Sequence, residues 1–167
     1  MNRLLIVDGY NLIHASERYL KWSKRDFEMA RVKLIEDLAM LKATNDYDVT
    51  LVFDAAMTKS PNRSHTNILG IDVMFTKAGE TADAMIERMV YNSKYDGDII
   101  VATSDYTQQK VIFKPGVTRR SARELLVELD TQEREIKEQP KKSGRFRLED
   151  RLDSAVRNAL ERITGAQ

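Results

Sequence analysis

Leu4-Leu5-Ile6-Val7-Asp8-Gly9-Tyr10-Asn11 is the stretch whose reading decides the fold. Four apolar residues run unbroken into an aspartate and a glycine. A short apolar run closed by a turn signal marks a strand buried on both faces, as in a parallel sheet covered by helices. Asp8 then stands where the strand gives way to a loop, and in open α/β sheets ligands bind outside the carboxyl ends of the strands. A carboxylate there is costly to desolvate unless a cation or hydrogen-bond donors meet it. Gly9 is expected to ease a backbone turn, while Tyr10 and Asn11 set a ring and an amide beside the acid. The plainer alternative is an aspartate that only caps the next helix.

Working outward, the same pattern returns. Phe27, Ala30, Leu34, Leu38 and Leu41 recur at helical spacing and predict a helix over about 25–42, with Asn45-Asp46 as its stop. Val49 to Phe53 is a second strand ending in Asp54. The polar, basic stretch from Lys59 to Thr66 reads as an exposed loop, and Ile71 to Phe75 as a third strand. Thr81 is the expected N-cap of a helix that turns Ala82, Met85, Ile86, Met89 and Val90 inward. Asp98 to Ala102 is a fourth strand, followed by Asp105 and a short helix over 106–111. Ser121 and Glu124 have the spacing of a capping box before a helix with Ala122, Leu125, Leu126 and Leu129 on its apolar side. Residues 139–144 read as a linker and about 148–163 as a last helix, packed on the core or separate. Alternating strands and helices predict an α/β fold with a parallel sheet between helical layers.

Bulk properties narrow the function. The chain has 167 residues, 42% hydrophobic and 32% charged, in the range of an ordinary globular domain. No apolar run approaches the roughly 20 residues of a membrane span. The N-terminus enters the first strand without a signal-peptide pattern, and there are no cysteines, so a cytoplasmic location is the expectation. With only His14 and His65, zinc is disfavoured, and any metal would take oxygen ligands, which points to Mg²⁺ or Mn²⁺. A net charge of +1 confines any nucleic-acid surface to a local patch.

Asp8, Asp54 and Asp105 all fall at or just after strand ends, and parallel strands bring such ends to one edge. Asp83 lies in the first turn of the helix that begins at that edge, with Glu87 one turn on. Clustered carboxylates raise one another's pKa, and a divalent cation relieves the repulsion. Such an ion supports phosphodiester cleavage. Taken singly, each acid also fits a cap, a macrodipole partner or an acceptor of loop amides. Arg119, Arg120 and Arg123 crowd the expected start of the helix behind Ser121. That arrangement suits a phosphate, or else salt bridges with Glu124 and Glu128.

Five motifs in order carry a family resemblance. They are Val7-Asp8-Gly9-Tyr10-Asn11, Val52-Phe53-Asp54-Ala55, Phe75-Thr76 with Glu80-Thr81-Ala82-Asp83, Ala102-Thr103-Ser104-Asp105-Tyr106, and Arg119 with Ser121-Ala122-Arg123-Glu124-Leu125-Leu126. Over about residues 3–135 the chain resembles the YacP-like NYN-domain proteins, which belong to the PIN-like nucleases. The resemblance implies a PIN-like three-layer α/β/α sandwich with a mainly parallel central sheet, occupying residues 1–138 and followed by a linker and C-terminal helix over 139–167. It implies a bacterial endoribonuclease that cleaves mRNA on the ribosome with Mg²⁺ or Mn²⁺. Asp8 and Asp83 match its surest catalytic and metal-holding positions, with Asp54 and Asp105 as further members. Asn11, Arg119, Ser121 and Arg123 match binding positions, and Tyr10 or Tyr106 offers a ring for a base. A catalytically silent RNA- or ribosome-binding module is the alternative. Val52-Phe53-Asp54 is also similar to the phosphorylated strand end of a receiver domain. However, Gly9 replaces the second acid that fold needs, and Asp105 stands where it needs a lysine.

Overall fold

The structure is a computed structural model that describes residues 2–55, 61–103, 115–138 and 146–164. Its elements run β1 (Arg3–Asp8), α1 (Gly9–His14), α2 (Glu17–Ser23), α3 (Phe27–Thr44), β2 (Tyr47–Phe53), β3 (Ser64–Ile68), β4 (Ile71–Phe75), α4 (Ala82–Asn92), β5 (Asp98–Thr103), β6 (Val117–Ser121), α5 (Ala122–Glu138) and α6 (Phe146–Thr164). The strands form one six-stranded sheet in the order β3-β4-β2-β1-β5-β6. Every pairing is parallel except β3 with β4.

The apolar runs are buried on both faces, as their composition requires. Leu5 and Val7 of β1, Leu51 and Phe53 of β2, and Ala102 of β5 point into a large core under α1, α2, α3, α5 and α6. Ile6, Val52, Ile99 and Val101 alternate to the opposite face, where Ala82, Met85, Ile86 and Val90 of α4 cover them. This is the period-2 geometry of a strand between two layers. The last helix is part of this core: α6 packs on α3 and β3, and Val156 and Leu160 are fully buried. Among the described residues, no helix is long and apolar enough to cross a membrane.

Several local expectations need correction. The chain does not loop after Asp8: α1 starts at Gly9, and α2 follows with Ser16 as its N-cap. Ser64, His65 and Thr66 belong to strand β3, whose polar, half-exposed pattern is that of an edge. Arg119 and Arg120 lie on β6, held by its ladder with β5, so only Arg123 stands in the first turn of α5. The expected short helix at 106–111 and the linker at 139–144 lie outside the described residues.

Candidate active site

The carboxyl ends of β1, β2 and β4 form the edge that gathers the acids. Asp8, the last residue of β1, accepts the Asn11 amide hydrogen bond at 3.2 Å and so caps α1. It is only 8% exposed. Burial, partly offset by the Asn11 bond, pushes its acid up to about 6; Asp83 and Asp54 push in the same direction, and Asp83 also shares a hydrogen bond with it. Asp54, just past β2, accepts from the backbone N–H of Ala82 at 3.3 Å, at the first residue of α4. Asp83 is next along that helix, whose N-cap Thr81 accepts from the Ala84 amide at 3.2 Å. Capping and clustering are therefore not alternatives here: Asp8 caps α1, Asp54 accepts from the first residue of α4, and the first turn of α4 carries Asp83. Asp105 lies outside the described residues.

The expectation for Gly9 was a turn, but its φ is not among the positive ones. A Cβ at Gly9 would overlap the Phe53 ring, so glycine serves close packing of α1 against the end of β2. Tyr10 is engaged inward. Its ring meets Phe27 edge-on at 5.2 Å and Phe53 at 5.0 Å, and its hydroxyl accepts from the Arg31 guanidinium. Arg31 is itself buried, paired with Glu28 at 2.7 Å and surrounded by the rings of Tyr10, Phe27, Phe53 and Phe75.

Two residues quoted in the motifs but given no role hold the acidic loops. Thr76 is fully buried. Its hydroxyl accepts from the Ala55 amide at 2.7 Å and donates to the Glu80 carbonyl at 2.7 Å, while its own amide bonds Phe53 O at 3.0 Å. The residue after Asp54 is thereby tied to the segment that leads into Asp83. The side chain of Glu80 is buried and pairs with Arg63 and Arg88. Arg31 is a third residue without a sequence signal, since it occupies an ordinary helical position.

On the other flank, the capping box forms as expected: the Ser121 hydroxyl accepts from the Glu124 amide at 3.2 Å, and Glu124 accepts from the Ser121 amide at 2.7 Å. Arg120 is paired with Glu128. Arg123 is exposed. Asn11 Oδ1 and Arg119 Nε are among the buried polar atoms that lack a hydrogen-bond partner among the described residues.

These groups fit a hard cation. Asp8, with Asp83 and Asp54 near enough to raise its acid, and the unpartnered amide oxygen of Asn11 offer only oxygen donors, the kind Mg²⁺ and Mn²⁺ take. Among the described residues, no three acidic or imidazole side chains already stand in ion-enclosing geometry. Gathering these donors around an ion therefore requires side-chain rotation.

Comparison with known proteins bears on the family and the fold. The protein YacP of Bacillus subtilis (strain 168) is 41% identical over 140 residues, covering 83% of this chain and 82% of that protein. A crystal structure of Rae1 (YacP) from the same organism matches with 40% identity and a TM-score of 0.66, covering 95% of this chain and 88% of that one. A single-substitution variant of Rae1 (YacP) gives 42% identity and the same TM-score, over 81% and 79% of the two chains. The model of the YacP-like NYN domain matches residues 5–165, so the match takes in α6 as well as the sheet. The chain belongs to the YacP-like NYN domain family.

Proposed function

We propose that the protein is a metal-dependent endoribonuclease that cleaves mRNA, presented on the translating ribosome. The observation that carries the reading is the burial of Asp8 with Asp83 and Asp54 against it, at the carboxyl edge of a parallel sheet in a nuclease-type domain. The ribosome and the mRNA come from the sequence resemblance.

Asp8, Asp83 and Asp54, with Asn11 Oδ1, would hold Mg²⁺ or Mn²⁺. Such an ion, when bound, makes water a better nucleophile and steadies the leaving oxygen of a phosphodiester. The chain supplies the rest. The α1 and α4 caps fix the acids, and Thr76 keeps the Asp54 loop against the start of α4. Arg119, with an unpartnered Nε, and Arg123 are the cations on the β6 side for flanking phosphates. No described side chain stands out as a separate general base.

The test is calorimetric titration of Mn²⁺ and Mg²⁺ into wild type, Asp8→Asn and Asp83→Asn, with a cleavage assay on translated mRNA bound to ribosomes. Metal binding and cleavage by wild type alone are the expected results. Equal cleavage by the two variants would overturn the reading. RNA or ribosome binding that survives EDTA, with no cleavage of any RNA, would instead establish the silent binding module.

A further inference from the structure

Three cations, Arg63, Lys77 and Arg88, stand around one buried carboxylate at the β4–α4 side of the acidic site. Arg63 donates to Glu80 through Nε at 2.7 Å and also through a terminal nitrogen, and Arg88 donates through Nη1 at 3.0 Å. The Arg63 bonds hold the Glu80 acid below its usual range, and the amide and charge of Lys77 lower it further. The carboxylate side chain is 5% exposed, whereas those of Arg63 and Arg88 are 38% and 54% exposed. Lys77 is exposed as well. One negative charge therefore orders two arginines, with the Lys77 charge beside them, and the surplus faces solvent.

The topology puts that surplus beside the acids. β3 is antiparallel, and Ser64 pairs with Phe75, so Arg63 enters β3 at the edge where β4 ends. Arg88 lies further along α4, but helical side chains lean toward the helix N-terminus, which brings its guanidinium back to Glu80. From β1 to β3 is three strand spacings, ~14 Å in all. At about 3.4 Å of rise per stacked nucleotide, that is about four nucleotides. Arg119 on β6 marks the opposite side of the acids.

We infer that Arg63 and Arg88, ordered by Glu80, together with the neighbouring Lys77, form a phosphate-gripping site for a single RNA strand that crosses the sheet edge from β6 to β3. This rests on the nuclease reading and specifies how its substrate lies. The site fixes the strand's path and is indifferent to its bases.

The experiment measures binding of a labelled oligouridylate RNA in EDTA over a series of salt concentrations. It compares wild type, Lys77→Gln, Arg88→Gln, their double variant and Arg134→Gln, an exposed cation on the far half of α5. Arg63 is kept to hold Glu80, and thermal melts check folding. The exposed Lys77 gives a readout even where Arg88→Gln destabilises α4. Each single variant should weaken binding about 3- to 10-fold and flatten the slope of log K against log salt by ~0.7. The double variant should lose about twice that slope, and Arg134→Gln should match wild type. Wild-type binding with unchanged slopes in the Lys77 and Arg88 variants would overturn this inference and leave the nuclease reading standing. Absence of RNA binding by wild type would overturn both. RNA binding dependent on these cations, without cleavage in Mn²⁺, would uphold the site and sink the nuclease.

Discussion

In metal-free buffer, Asp8→Asn should make the protein more stable at pH 8, although it removes the central acid of the site. Asp8 is 8% exposed, and its acid rises from 3.8 to about 6, chiefly through burial and then through Asp83 and Asp54. A raised folded-state value means that the folded chain holds this proton more tightly than the unfolded chain. The contribution to stability is therefore full below about pH 4 and is lost as the pH climbs through about 6. A rise of about two units corresponds to about 3 kcal/mol at pH 8. Asparagine keeps an oxygen for the Asn11 amide and carries no charge, though it is the weaker acceptor. The net gain should be ~1–2 kcal/mol, at roughly 2–4 °C per kcal/mol for a chain of this size. The assay is urea unfolding followed by circular dichroism, in EDTA, at pH 8 and pH 4.5. At the lower pH the folded wild type is already protonated at Asp8, so the advantage should vanish or invert. Asp8→Asn being less stable at both pH values by the same amount would refute the claim that burial and the neighbouring acids raise the Asp8 acid. Adding Mn²⁺ at pH 8 should raise the melting temperature of wild type and leave the variant where it was.

Three further outcomes follow from the packing. Gly9→Ala drives a Cβ into the Phe53 ring and should cost about 1–3 kcal/mol, read from the denaturation midpoint. Thr76→Val removes the hydroxyl that accepts from the Ala55 amide and donates to the Glu80 carbonyl; unfolding should show a loss of about 1–3 kcal/mol, and cleavage by the still-folded protein should fall as the Asp54 loop loosens. Ser121→Ala removes the hydroxyl that accepts from the Glu124 amide and donates to its carboxylate, keeps the backbone N–H bond to Glu124, and should cost about 1 kcal/mol of stability in thermal melts.

Legibility in the sequence followed burial. β1, β2 and β5 announce themselves as apolar runs, β4 by its alternation, and α3 and α4 because their apolar spacing is helical. β3, Ser-His-Thr-Asn-Ile, and β6, Val-Thr-Arg-Arg-Ser, are edge strands with little to bury, so their residues read as loop or cap. α1 is six residues long and opens on Gly-Tyr-Asn; what makes it helical is the Asp8 cap and the packing of Leu12 and Ile13. At the site, parallel topology brings the strand-end acids Asp8 and Asp54 to one edge, and Asp83 joins them from the first turn of the helix that starts there. Their support was not legible in the sequence: the reason for Gly9 is a ring on β2, Thr76 takes an amide partner from just after β2, and Glu80 takes its arginines from just before β3 and from α4. Such contacts are set by tertiary proximity, which no local pattern encodes.

The position of β1 in the sheet has a consequence for how the protein is made. Arg3 pairs with Tyr47 on one side and with Asp98 on the other, so the first strand synthesised lies between strands that emerge much later. Once residues through α4 are out, Asp8, Asp54 and Asp83 are all present, yet β1 still carries an unpaired edge and the α4-side core lacks Ile99 and Val101. An open edge of this kind is a template for pairing with another chain, and non-local parallel pairing is slow to close. The interval between the completion of α4 and the arrival of β5 is therefore when a nascent chain is most exposed to aggregation, and when rapid elongation matters most to its yield.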